Sequence, residues 1–133
     1  MSTQALFQTA VSAALEAGKA ILDVYGTDFA VQHKHDQSPL TKADQAGHTI
    51  ICKHLQTTSI PILSEEGSDI PYVQRKAWDR LWIVDPLDGT KEFIKRNGEF
   101  TVNIALVQDQ EPILGVIYIP VKKTLYLGSA GYG

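Results

Sequence analysis

Apolar residues recur at helical spacing through the first 25 positions. Phe7, Ala10, Val11, Ala14, Leu15, Gly18, Ile21, Leu22 and Tyr25 fall on one face, which predicts a helix over 4–25. Ser2 or Thr3 can cap it and Gly26 stops it. A second helical pattern places Ala43, Ala46, Ile50, Ile51 and Leu55 inward, from about Thr41 to Leu55. Thr41-Lys42-Ala43-Asp44 matches a capping box at its start. Between the helices, 29–32 reads as a short strand and 33–39 as a polar loop. The period then changes. Pro61–Ser64 is a short strand, 67–75 a loop, and Leu81–Val84 is apolar at every position, as a strand buried on both faces would be. A helical turn begins at Gly89 or Thr90. Phe100–Val107 and Ile113–Ile119 are long strands joined by a hairpin loop over 108–112, with Thr124–Leu127 as the third strand of a meander. The fold class is therefore α+β, two helices layered on a mostly antiparallel sheet.

Composition narrows the setting. The chain has 133 residues and a formal net charge of −3. That length is one ordinary domain, and the charge gives no broad basic footprint, which argues against a nucleic acid polymer as partner. The lone Cys52 cannot form an internal disulfide, so a reducing, cytoplasmic compartment fits. The N-terminus lacks a basic leader region, and no stretch approaches ~18 apolar residues, so neither a signal peptide nor a membrane span is expected. Peripheral association with the inner membrane stays open.

The chemistry concentrates in Asp85-Pro86-Leu87-Asp88-Gly89-Thr90, which leaves the end of the buried strand, with Glu65-Glu66 one connection upstream. Hard cations want oxygen ligands, and Mg²⁺ binds one or two carboxylates together with substrate phosphate. Asp85 and Asp88 supply the carboxylates. Pro86 biases Asp85 toward extended backbone, and Leu87 has only its backbone carbonyl to offer. Gly89 lets the chain approach an anion closely, and the N–H groups of Gly89 and Thr90 suit phosphate oxygens. Each residue also has a plainer reading. Asp-Gly is a turn dipeptide, paired glutamates usually line a solvated loop, and an Asp early in a helix usually caps it. Lys91, Lys95 and Arg96 read equally as a solvated face paired with Glu92 or Glu99, or as a field steering a doubly phosphorylated ligand; Lys34 and Lys42 could add to it. His48 and Cys52, four apart, with His33 and His35 before them, match no familiar zinc spacing. Trp78, Trp82 and Phe93 read as packing residues.

The hexapeptide followed by Lys91-Glu92-Phe93, with Leu63-Ser64-Glu65-Glu66 upstream, resembles the lithium-sensitive, Mg²⁺-dependent phosphatase superfamily that includes inositol monophosphatase and fructose-1,6-bisphosphatase. Ser38-Pro39-Leu40-Thr41, the run from Lys95 to Asn103 and Pro112-Ile113-Leu114-Gly115-Val116 extend the likeness over nearly the whole chain, toward the 3′(2′),5′-bisphosphate nucleotidase branch. The resemblance implies the N-terminal half of a sugar-phosphatase-like αβαβα fold. It implies Glu65, Asp85 and the Leu87 carbonyl at one metal, and Asp85 and Asp88 at the next. Thr90 would contact the attacking water with Asp44 as its base partner, and Glu65, Leu87, Asp88, Gly89 and Thr90 would line the substrate. Two such cations about 3.5–4 Å apart activate water and screen the leaving oxygen. The implied reaction is direct hydrolysis of the 3′-phosphate of adenosine 3′,5′-bisphosphate, with the sulfate-activating nucleotide as a second substrate, in sulfur assimilation and nucleotide recycling. Relatives continue into a second layered domain that supplies a further metal-binding Asp in a Trp-Asp motif. Residues 1–133 are thus expected to be the metal- and phosphate-binding domain alone. An uncovered core face would make oligomerisation one remedy.

Three alternatives compete. A haloacid-dehalogenase-like enzyme would carry Asp-x-Asp-Gly-Thr, with a nucleophilic Asp and βαβ alternation; here the spacing is Asp-x-x-Asp. An inositol monophosphatase would have the same site and a different substrate. A truncated metal- or nucleotide-binding module would have the site without turnover.

Overall fold

The computed structural model describes residues 2–26, 39–64, 77–95 and 97–130. Helix α1 spans Thr3–Tyr25, with the Ser2 side chain accepting from the Ala5 N–H at 3.1 Å. Helix α2 spans Pro39–Leu55 and runs into a short 3₁₀ turn, Gln56–Thr58. Strand β1 is Ile62–Ser64 and β2 is Arg80–Asp88. Helix α3, Thr90–Lys95, precedes β3 (Thr101–Gln108), β4 (Glu111–Ile119) and β5 (Thr124–Ser129). The five strands lie in chain order in one sheet; β1 runs parallel to β2 and every other pair is antiparallel. The expected strand at 29–32, the loops over 33–38 and 67–75, and Glu65, Glu66 and Arg96 lie outside the described residues.

Both helices cover one face of the sheet. Trp82, Val84, Val102, Ile104, Leu106, Leu114 and Val116 point toward them and are buried, while their strand neighbours Ile83 and Ile117 stay substantially exposed on the other face. This is the period-two alternation of a sheet covered on one side. It corrects the all-buried reading of Leu81–Val84: Leu81 is half-buried and Ile83 exposed. In α1 the buried stripe is Leu6, Ala10, Ala13, Ala14, Ala17, Gly18 and Ile21, rotated from the expected face, so Leu15 is exposed. Small residues won the interior because α1 packs closely on α2 and the sheet. Trp82 is fully buried, and its Nε1–H donates to Thr58 Oγ1 at 3.0 Å, which satisfies its polar edge.

Several boundaries differ from expectation. Helix α2 starts at Pro39, a residue whose fixed φ and missing N–H suit the first helical position. Thr41 is therefore inside the helix, and Thr41–Asp44 is not a capping box. The β3–β4 hairpin closes through Asp109 and Gln110 alone, both at positive φ (51° and 68°), the backbone of a tight two-residue turn. At the outer edge of the helical layer, His54 pairs with Glu16. The hydrogen bond from His54 holds the Glu16 carboxyl below its usual range. That contribution is present above the ordinary glutamate pKa and is lost as pH falls through the lowered one.

Two glycines separate packing from backbone need. A Cβ on Gly18 would sit 2.5 Å from Tyr118 Cε2 and 3.2 Å from Pro120 Cγ, whereas a Cβ on Gly115 would meet nothing within 4 Å. Overpacking of this kind costs about 1–3 kcal/mol, more than the roughly 1 kcal/mol that Ala gains over Gly in a helix. Gly18→Ala is expected to lower the urea midpoint of unfolding, and Gly115→Ala to leave it within about 0.5 kcal/mol of the parent.

Candidate functional site

The site is built on an irregularity in β2. Asp85 pairs with Asn103 on β3, and Asp88 pairs with Thr101, so three steps on one strand match two on the other. The extra residue is a β-bulge. In a regular strand, residues three apart point to opposite faces. The bulge resets the alternation, and Asp85, Asp88, Thr101 and Asn103 come to share the face away from the helices. Pro86 explains why the ladder breaks here, since it has no N–H to give a central strand. Pro86 and Leu87 are both buried, with Leu87 only 2% exposed. Strand β2 therefore continues to Asp88, where the sequence pattern stopped it at Val84.

Beyond the bulge, Gly89 adopts φ +91°. A Cβ there would lie 3.2 Å from the Phe100 Cα and 3.2 Å from a Glu92 carboxylate oxygen, so the position is closed to larger residues. The Gly89 carbonyl accepts from the Phe93 N–H at 2.9 Å, which starts α3 at Thr90. Behind this turn, the rings of Tyr25, Phe93 and Phe100 meet with centroids 4.9–5.4 Å apart. The aromatic cluster ties the end of α1, the middle of α3 and the entry to β3 to the back of the motif.

The side chains that could do chemistry are presented at graded depth. Asp88, Thr90, Lys91 and Lys95 are exposed and Asp85 is half-buried. Asn103 Nδ2 donates to Asp88 Oδ2 at 3.0 Å, and Thr101 Oγ1 donates to Asn103 Oδ1 at 3.1 Å. Asp44 is 9% exposed, on the α2 face that carries Ala43 and Ile51 into the core. Because α2 begins at Pro39, Asp44 is its sixth residue, beyond the reach of the helix start; the capping role is removed. Gly47, one turn on, is packed against Pro86, with 3.2 Å from its virtual Cβ to Pro86 Cβ, so Asp44 belongs to the helix that seats the bulge. Asp44 and Asp85 both have interaction partners.

Among the described residues, Lys91 and Lys95 make no ion pair with Glu92 or Glu99. Glu65 lies outside the described residues, and among the described residues no three His, Cys, Asp or Glu side chains converge on a common point. The nitrogen and sulfur donors of α2 among the described residues are engaged: His48 Nδ1 lies 2.9 Å from Ser64 Oγ, and Cys52 Sγ is 3.6 Å from His48 Nε2. Burial pushes the Cys52 thiol up. His48 thus pins the last residue of β1, next in sequence to Glu65, to α2. No role for this bond or for Thr101 and Asn103 follows from local pattern. Their only signal was two polar residues at i, i+2 in an apolar strand.

The carboxylates present suit a hard divalent cation. Both described acidic side chains on the open face offer oxygen only, and the softer donors are tied to each other and to Ser64. No described helix is long and apolar enough to cross a membrane.

Comparison with known proteins gives one family. The model of the inositol monophosphatase family matches residues 2–133. The 3′(2′),5′-bisphosphate nucleotidase CysQ of Salmonella typhimurium is 52% identical over 122 residues, 89% of this chain and 49% of that protein. Its counterpart in Escherichia coli K12 is 54% identical over 123 residues, again 49% of its length. The crystal structure of CysQ from Bacteroides thetaiotaomicron superposes with a TM-score of 0.91 at 55% identity, covering 98% of this chain and 48% of that one. SaIMPase-II, solved with 2′AMP bound, superposes with a TM-score of 0.78 at 27% identity, over 97% of this chain and 46% of its own. The chain spans about half the length of the relatives it matches. With residues 2–133 inside the family model and an α+β core that overlays its solved members, this chain belongs to the inositol monophosphatase family.

Proposed function

We propose that this chain carries the metal- and phosphate-binding half of a phosphatase that hydrolyses the 3′-phosphate of adenosine 3′,5′-bisphosphate to AMP and phosphate, with Mg²⁺ as cofactor. The observation that carries the reading is the bulge, which sets Asp85 and Asp88 on one face at the end of β2. The choice of a nucleotide over an inositol phosphate rests on relatives named as 3′(2′),5′-bisphosphate nucleotidases at 52–54% identity. PAPS, the sulfate-activating nucleotide, is included as a second substrate because it carries the same 3′-phosphate.

In this reading Asp85, Asp88, the Leu87 carbonyl and Glu65 hold Mg²⁺. The bound cation neutralises phosphoryl charge and makes water acidic enough to react near neutral pH. The rest is done by the chain. Gly89 and Thr90 offer their N–H groups to the phosphate oxygens, and the positive φ of Gly89 makes the turn that carries them. The Thr90 hydroxyl orients the attacking water and Asp44 accepts its proton. Burial of Asp44 restricts how far that carboxylate can wander. Lys91 and Lys95 draw in the phosphate that does not react, since no carboxylate of α3 neutralises them. Substrate and product are small molecules, the setting is cytoplasmic, and residues 1–133 are one domain of a longer architecture.

Two measurements test this. Phosphate release is assayed with adenosine 3′,5′-bisphosphate and with inositol monophosphate, on the 133-residue chain and on a version extended to its relatives' length. Release from the nucleotide is expected to require Mg²⁺, to stop on chelation, and to fall at least about 100-fold in Asp88→Asn with the far-ultraviolet spectrum unchanged. Preference for inositol phosphate would assign the other branch of the family; no metal-dependent release from either polypeptide would leave a binding module. Separately, Lys91→Met and Lys95→Met are expected to lower kcat/KM for the bisphosphate by about tenfold at low salt, less at high salt, and to leave 3′-AMP nearly unaffected.

A further inference from the structure

The polar residues of β3 stop where they face the motif. Ala105 and Val107 continue the same strand face with apolar side chains, while Thr101 and Asn103 stand opposite Asp88 and Asp85. Asn103 reaches diagonally across the ladder to Asp88 Oδ2 at 3.0 Å, leaving Oδ1 of that carboxylate for another partner. The Asn103 amide has two ends that packing alone scarcely distinguishes. The Asp88 carboxylate, which can only accept, distinguishes them by drawing Nδ2 toward itself, and the Thr101 hydroxyl donates to Oδ1 at 3.1 Å and braces that orientation from the other end. The direction of donation is therefore continuous from Thr101 through Asn103 to Asp88.

We propose that Asn103 is a positioning residue for the cation site, holding the Asp88 carboxylate in the orientation that presents its second oxygen, and that Thr101 braces the amide. The assignment rests on Asp88 being a metal ligand, as in the proposed function. An exposed carboxylate beyond a bulge would otherwise sample several rotamers, and ordering it at the moment of binding weakens affinity. Asn suits the task for an electrostatic reason. Lys or Arg in its place would also orient Asp88, but each would neutralise the carboxylate and repel the incoming cation. A neutral amide donates a hydrogen bond and leaves the charge in place. Partners that orient metal ligands from behind are typically worth 10–100-fold in affinity or activity.

The test is Mn²⁺ titration of the intact protein followed by electron paramagnetic resonance, with thermal melts alongside. Asn103→Leu removes the donor at similar volume and is expected to weaken Mn²⁺ about tenfold; Thr101→Val is expected to weaken it less. The double variant is expected to match Asn103→Leu, because Thr101 acts only through Asn103. Asn103→Gln, which keeps the donor, is expected to recover most of the affinity. Unchanged Mn²⁺ affinity in Asn103→Leu overturns the proposal, as does a lowered melting temperature with affinity intact. If Asn103→Leu does not fold, Thr101→Val decides on the same criterion. Asp88→Asn separates the two levels. If it leaves affinity unchanged, the metal-site reading falls and this proposal with it; if it abolishes binding while Asn103→Leu does not, only this proposal falls.

Discussion

A period-two strand cannot put residues i and i+3 on the same side, yet Asp85 and Asp88 share one side of this sheet. The bulge at Pro86–Leu87 reconciles the two, and the rest of the site depends on it. Its stability comes from the core. Pro86 and Leu87 are buried, and Gly47 of α2 lets the helix backbone settle against Pro86. Burial of a Leu-sized side chain contributes about 1.5–3 kcal/mol, which outweighs the ladder hydrogen bond the bulge gives up, roughly 0.5–1.5 kcal/mol net. Proline costs least in a sheet where the ladder is already interrupted. The same residue that breaks the pairing is therefore the one that fills the space beneath the break.

A second layer of packing fixes the turn beyond the bulge. Tyr25, Phe93 and Phe100 come from the end of one helix, the middle of a short one and the entry to β3, and they meet behind Gly89. Six residues of isolated helix would not hold together in water; α3 persists because Phe93 is fully buried in that cluster. Structural and chemical residues therefore alternate along the motif. Pro86, Leu87, Gly89 and Phe93 are set by packing and backbone geometry. Asp88, Thr90, Lys91 and Lys95 face outward with little core contact, and changing them costs the fold little. A site arranged this way can be altered in its chemistry without being rebuilt.

Elements were legible in the sequence where one local signal decided them. Helix α1 and its Ser2 cap, the apolar strands and the α+β layering followed from period and capping chemistry. The misreadings arose where two local rules conflicted or where tertiary packing chose. Thr41 looked like a cap because Asp44 follows at capping spacing, but Pro39 two residues earlier starts the helix. The strand was expected to end at Val84, where the continuous apolar run stops, and it instead bulges and continues to Asp88. In α1, alanines took the interior that larger residues were expected to fill, since a close helix contact favours small side chains. At the site, Asp85, Asp88, Gly89 and Thr90 were visible as a contiguous string. Asn103 was not, because its relation to Asp88 spans fifteen residues and depends on a register that no local pattern encodes.

That register also accounts for the form the electrostatics take. Two carboxylates on one face repel each other, and a fold could relieve this by pairing them with lysine or arginine. Here the cross-strand neighbours are an amide and a hydroxyl, and the cations of α3 sit on its exposed surface, apart from Glu92 and Glu99. Exposure keeps the repulsion modest, because Asp88 remains solvated and Asp85 is only half-buried. Asp88 thus receives a neutral hydrogen bond from Asn103 that leaves its charge in place, while positive charge stands on the adjoining helix. Under the proposed function, one face would take a cation and its neighbour an anion, as a phosphate ester arriving with its metal requires.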